Sequence, residues 1–228
     1  MIIIAPGDVS SPLTLRMEYF GGQQKDEIKS IYIFYFWNFQ LGLNNFAKEN
    51  FPVDWEKLPY AIFEEVKKLL PDDTVFLDEI RIYISYDPNS ESDKNLLRWA
   101  NGWLSTRPRF KVILKERKLQ RKHPFCSNCR REIKECPYCN SPLKGTNEKG
   151  IDTSIVTDII KLAWNDAYDV SIIVSSDADF IPAVEFLGER GKKVIAAGFP
   201  PLGKELRQSC WAQIDLGTIK SKFRRKDR

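Results

Sequence analysis

The strongest constraint on this chain is a set of short, largely apolar runs, each too brief for a buried helix. Ile31-Tyr32-Ile33-Phe34-Tyr35-Phe36-Trp37 is seven consecutive β-branched and aromatic residues, and Val170–Val174 and Lys193–Gly198 are similar. Runs of this length and composition read as strands buried on both faces. Such strands need helices above and below them. Helical spacing fills the intervals between them. Leu58, Ile62, Val66 and Leu69 form one stripe within 54–70, closed by Pro71, and residues 91–105, 152–165 and 180–190 read as further helices, the last ended by Gly191. Ile80–Tyr86 alternates as a strand up to Asp87-Pro88, Phe110–Leu114 is another, and a last strand is expected near Gln213–Leu216. Strands alternating with helices predict an α/β fold with a central, mostly parallel sheet.

Two stretches break this rhythm. Residues 1–29 show no period and are expected to be an irregular extension, so the folded domain is placed at 30–219. Residues 122–148 hold four of the five cysteines and no hydrophobic period. Cys126-x2-Cys129 and Cys136-x2-Cys139 are two CxxC pairs, a spacing that can set four thiolates tetrahedrally around Zn²⁺. Two disulfides are the alternative, disfavoured in a reducing compartment. Four thiolates leave no open coordination position, so the expected zinc ribbon is structural. Cys210 stands alone and reads as a small buried hydrophobe.

Charge is segregated. The whole chain carries +4, but residues 107–134 carry a net +9 and the tail 220–228 a net +5, which leaves the remainder at −10. A basic strip beside an acidic body points to a polyanionic partner held next to carboxylates. Arg117, Lys118, Arg121, Lys122, Arg130 and Arg131 are the candidate contacts; a solubilising face is the competing reading. With a single histidine, His123, the chain excludes acid/base cleavage by paired histidines. The longest apolar run is far below the roughly 20 residues of a membrane helix. The first residues also lack a basic region and apolar core of signal-peptide length, so a cytoplasmic location is expected.

The carboxylates have their own pattern. Asp177-Ala178-Asp179 follows the strand 170–174, at the end where open α/β sheets bind ligands. Asp179 precedes Phe180-Ile181-Pro182 and Asp152 opens a helix, so either acid reads equally as an N-cap. Asp158 shares a helix face with Ile155 and Leu162, and a carboxylate on an apolar stripe needs a partner or a metal. Acids converging at one sheet edge would hold Mg²⁺ or Mn²⁺, which would activate water against a phosphodiester. No Walker loop and no G-x-G-x-x-G occurs.

Lys149-Gly150-Ile151-Asp152, Asp158, Ser175-Ser176-Asp177-Ala178-Asp179-Phe180, Gly191-Lys192-Lys193-Val194 and Gly198, in this order and spacing, resemble the NYN domain family, a branch of the PIN-like nucleases. The resemblance covers about residues 30–219, interrupted by the cysteine insert. It implies a Rossmann-like fold and a metal-dependent ribonuclease site at Asp152, Asp158, Asp177 and Asp179, with Asn38 and Lys149 matching the family's strand-one asparagine and its motif lysine. One departure stands out. Family members end strand one with Asp-Gly-x-Asn, whereas this chain has Tyr35-Phe36-Trp37-Asn38. Two functions follow as expectations: a metal-dependent ribonuclease resting on the four remaining acids, or an RNA-binding module that has lost catalysis. The insert could also serve a protein partner, and a homodimer is compatible with either function.

Overall fold

The computed structural model describes residues 27–119, 123–143, 146–147 and 149–226. β1 (Glu27–Tyr35) runs directly into α1 (Phe36–Ala47), and α2 (Lys57–Leu69) leads to β2 (Thr74–Tyr86). α3 (Glu91–Gly102) follows, then β3 (Phe110–Glu116). A short antiparallel pair, β4 (Lys118–Leu119) with β5 (Thr146–Asn147), brackets the cysteine insert. α4 (Ile151–Trp164), β6 (Val170–Val174), α5 (Ile181–Glu189), β7 (Lys193–Gly198), α6 (Lys204–Ser209), β8 (Ala212–Asp215) and α7 (Leu216–Ile219) complete the order. The six long strands form one sheet in the order β3-β2-β1-β6-β7-β8, and every neighbouring pair is parallel.

This is the doubly wound arrangement, and its order reverses between β1 and β6. Tyr32 and Phe34 of β1 pack with α1, α2 and α7, whereas Ile31 and Ile33 pack with α4, α5 and α6. Alternate side chains thus enter two separate cores, which is why the strand reads as unbroken apolar sequence.

The structure differs from the sequence expectation in several places; β1 already begins at Glu27, within the stretch expected to be irregular, β2 begins at Thr74 rather than Ile80, and α6 and α7 were not expected. The chain leaves β1 after Tyr35, and Phe36 and Trp37 open α1. This helix was not expected. Its buried residues Phe36, Phe39 and Leu43 do have helical spacing, but Asn38, Gly42, Asn44 and Asn45 dilute its propensity. α2 starts at Lys57 rather than 54, and the Asp54 carboxylate ahead of it accepts the Lys57 N–H at 3.1 Å. The basic tail is docked through Lys226. Phe223 is fully buried against Phe51, and Arg224 pairs with Glu49 at 2.7 Å. One aromatic residue among the cations anchors the segment. No helix among the described residues is long and apolar enough to cross a membrane.

Candidate functional site

The crevice opens where β1 and β6 lie side by side and their following segments diverge. Asn38, in the first turn of α1, accepts the Ser176 N–H through Oδ1 at 2.8 Å. Ser175 Oγ accepts the Asp177 N–H at 3.1 Å, and Asp177 Oδ1 accepts the Asp179 N–H at 3.0 Å. Asp177 therefore caps the 3-10 turn Ala178–Phe180 that leads into α5. Gly203 supports the loop from beneath. Its φ is +63°, and a Cβ there would lie 2.8 Å from Ser176 Cα, so only glycine fits.

Asp152 sits in the first turn of α4, after Gly150 with φ +80°. α4 packs against the 178–180 turn, and Asp177 and Asp179 lie at the carboxyl edge of the sheet, just after β6. Asp152 is half-buried, and Lys149, three residues before it, is exposed.

Asp158 is engaged elsewhere. It lies nearly two turns further along α4, where its Oδ2 accepts from Arg81 Nη1 at 3.0 Å and from the Tyr83 hydroxyl at 2.7 Å. Burial favours the neutral form of Arg81, but its bonds to Glu79 and Tyr83 outweigh that and raise its pKa. Burial, then the bond to Asp158 and its charge, push the Tyr83 hydroxyl above its usual range. Tyr83 is the β2 partner of Tyr35. Among the described residues, no three of His, Cys, Asp and Glu converge closely enough to hold a metal ion.

The cysteine insert is a tandem of two like turns. The Cys126 and Cys136 N–H groups donate to Arg131 O and Ser141 O, both at 2.9 Å. Arg130 N–H returns to Cys126 O and Asn140 N–H to Cys136 O, at 2.8 and 2.9 Å. Arg130 and Asn140 both adopt φ +56°, the left-handed conformation that closes such a turn. Hydrogen bonds from the Cys129 and Asn128 backbone and from the Cys129 thiol hold Cys126 below the ordinary thiol value. Bonds from Ser141 do the same for Cys139.

The basic strip is divided. Arg117 Nη2 lies 2.7 Å from buried Asp93, and the guanidinium stands 5.4 Å over Trp37, so its charge is spent inside the fold. Lys118, Arg130 and Arg131 are exposed. Arg121 and Lys122 lie outside the described residues. Sequence reasoning missed Arg81, although a cation inside the strand pattern Ile80–Tyr86 was the available signal for the partner that Asp158 required.

The sequence matches the NYN domain over residues 48–217. The chain belongs to the NYN domain family. NYN domains fall within the PIN-like nuclease superfamily and act on RNA, and the six-stranded parallel sheet agrees with that fold. The matched NYN segment begins after β1, the strand that carries Tyr35. An uncharacterized protein of Methanocaldococcus jannaschii is 41% identical over 51 residues, which is 22% of this chain and 21% of that protein. The chain thus aligns with about a fifth of that relative's length. The crystal structure of a protein of unknown function from Vibrio parahaemolyticus has the same fold, with a TM-score of 0.52, 21% identity, and coverage of 90% of this chain and 99% of that one.

Proposed function

We propose that this NYN domain binds single-stranded RNA at the carboxyl edge of its sheet, and that its acids fall short of a hydrolytic metal centre. The observation that carries this reading is the pairing of Asp158 with Arg81 and Tyr83, on the sheet face where Tyr35 replaces the expected strand-one acid. A carboxylate neutralised by a guanidinium is a poor ligand for a hard cation. Of the remaining acids, Asp177 commits one oxygen to the Asp179 N–H, and among the described residues no three carboxylates come together at one point. The residues present therefore do not fit an Mg²⁺ or Mn²⁺ ion held by three carboxylates, and we derive no metal-dependent step.

The RNA reading rests on the charge segregation and on what the family acts on. Exposed Lys118, Arg130 and Arg131, with Arg121 and Lys122, would neutralise phosphates, and Lys149 would add a cation beside the acids. The insert would present Arg130 and Arg131 from a fold held by Zn²⁺ on Cys126, Cys129, Cys136 and Cys139. Each CxxC pair already forms a closed turn, which supports that ion, while the two pairs are not gathered around a common point in the structure.

The test is equilibrium binding of a labelled single-stranded RNA across a salt series. Log affinity should fall by about 0.7 per neutralised phosphate per log unit of salt. Joint replacement of Lys118, Arg121, Lys122, Arg130 and Arg131 by Ala should flatten that dependence. An unchanged slope would assign the strip to solubility. A second reading, a metal-dependent ribonuclease, is favoured by the rigid placement of Asp177 and Asp179 beside Asn38. Cleavage in Mn²⁺ that disappears in Asp177→Asn would establish it.

A further inference from the structure

A second concave surface opens on the other side of α1. It encloses about 920 Å³, within the roughly 300–1,000 Å³ of small-molecule sites, and includes Phe36, Trp55, Trp99 and Trp103 in its lining. The rings form one continuous array. Phe36 stacks on Trp55 at 5.4 Å and 18°, Trp55 meets Trp99 at 5.8 Å, and Trp99 stacks on Trp103 at 6.0 Å and 21°. The Arg107 guanidinium lies 4.5 Å over Trp103. Trp55 and Phe36 are buried and belong to the core, whereas Trp99 and Trp103 are half-buried and show ring surface to the cleft.

The rim is polar and asymmetric in charge. Its two acids already have partners: Asp54 lies 2.9 Å from Lys57, and Glu56 lies 3.1 Å from Arg107. Arg225 and Lys226 of the docked tail line the same cleft, and the Arg225 N–H is fixed to Pro52 O at 2.9 Å. The surface therefore combines aromatic rings with two cations, and the acids at its rim are already neutralised. An apolar peptide would match the floor but leave the cations unused. A nucleotide matches both, with its base on the rings and its phosphate on the rim.

We propose that this cleft is a base-stacking subsite for an unpaired nucleotide of single-stranded RNA. The inference deepens the RNA-binding reading and rests on it. Position supports the link between the two sites. Phe36 and Asn38 occupy the same first turn of α1, Phe36 facing the cleft and Asn38 reaching Ser176 beside the acids. A strand crossing the start of α1 would touch both.

The experiment titrates the full chain with fluorescein-labelled 12-mers of uridylate and adenylate, following anisotropy and tryptophan emission. Wild type should bind with quenching of tryptophan. Trp103→Ala should weaken binding about tenfold, the scale of one lost base stack, while Trp103→Phe should stay close to wild type. Arg225→Ala with Lys226→Ala should weaken binding and reduce its salt dependence. Replacing Arg130 and Arg131 by Ala should weaken binding without removing the quenching. Thermal melting of each variant confirms that it is folded. If Trp103→Ala binds as wild type while the Arg130/Arg131 variant is weakened, the cleft takes no part, the RNA reading stands, and a protein partner becomes its alternative occupant. If wild type binds neither 12-mer, both inferences fall.

Discussion

Arg81 and Asp158 form an ion pair across the sheet–helix interface, 3.0 Å apart, with the arginine side chain 8% exposed and the aspartate 31%. The pair ties β2 to α4 on the face that also holds Tyr83 and Tyr35. Asp158, expected as a metal ligand, thereby joins two layers of the fold. Breaking a buried pair by removing one partner costs about 3–5 kcal/mol, and the exposure of Asp158 lowers that figure. Arg81→Leu is expected to destabilise the protein by about 2 kcal/mol in urea unfolding, consistent with that discount. Asp158→Asn keeps an acceptor for Tyr83 and leaves Arg81 its bond to Glu79, so a loss of about 1 kcal/mol is expected, with RNA affinity unchanged. Loss of RNA affinity in folded Asp158→Asn would place this acid in the binding site.

The acid loop is held by Asn38 from one side and by Gly203 from the other. Asn38→Ala removes the acceptor of the Ser176 N–H and is expected to cost about 1–3 kcal/mol. Asn38→Asp retains an acceptor and should cost less. Gly203→Ala forces a Cβ against Ser176 at a positive φ, so a destabilisation of about 1–3 kcal/mol is expected. Thermal melting compares the three. Equal melting of Asn38→Ala and wild type would show that the loop does not depend on this bond.

The five thiols should fall into two kinetic classes. Burial pushes Cys210 up to about 12, so below that pH its thiol stays protonated and reacts slowly with iodoacetamide. Cys126 and Cys139 are shifted the other way. The purified protein should carry one zinc per chain and resist alkylation of the insert. Chelation should release the metal and expose four fast thiols while Cys210 stays slow. Fast alkylation before chelation, with no zinc by elemental analysis, would remove the structural-zinc proposal. Two intact disulfides would also remove it.

Much of the fold was legible because the central strands β1, β6 and β7 are largely buried on both sides and therefore have a distinctive composition. β6 (Val170–Val174) and β7 (Lys193–Gly198) match their expected limits. α1 was illegible because its asparagines and glycine mask a three-residue apolar stripe, and its start continues the apolar run of β1. Asp177 follows the end of β6, where chain order alone determines position. The partner of Asp158 was not legible, because residues 81 and 158 meet only through tertiary packing. The aromatic cleft was hidden for the same reason. Its rings come from α1, the segment before α2, α3 and the turn after α3, each unremarkable alone.

The central claim, RNA binding over an acid set that does not complete a metal site, is tested most directly by one paired measurement. Labelled single-stranded RNA is incubated with wild type, Asp177→Asn and Tyr35→Asp in Mn²⁺, and bound and cleaved fractions are read from the same samples. Wild type and Asp177→Asn should bind RNA and cleave it no faster than each other, and Tyr35→Asp should remain equally inert because Arg81 still holds Asp158. Cleavage by wild type that is lost in Asp177→Asn and enhanced in Tyr35→Asp would contradict the claim and identify a working metal-dependent nuclease.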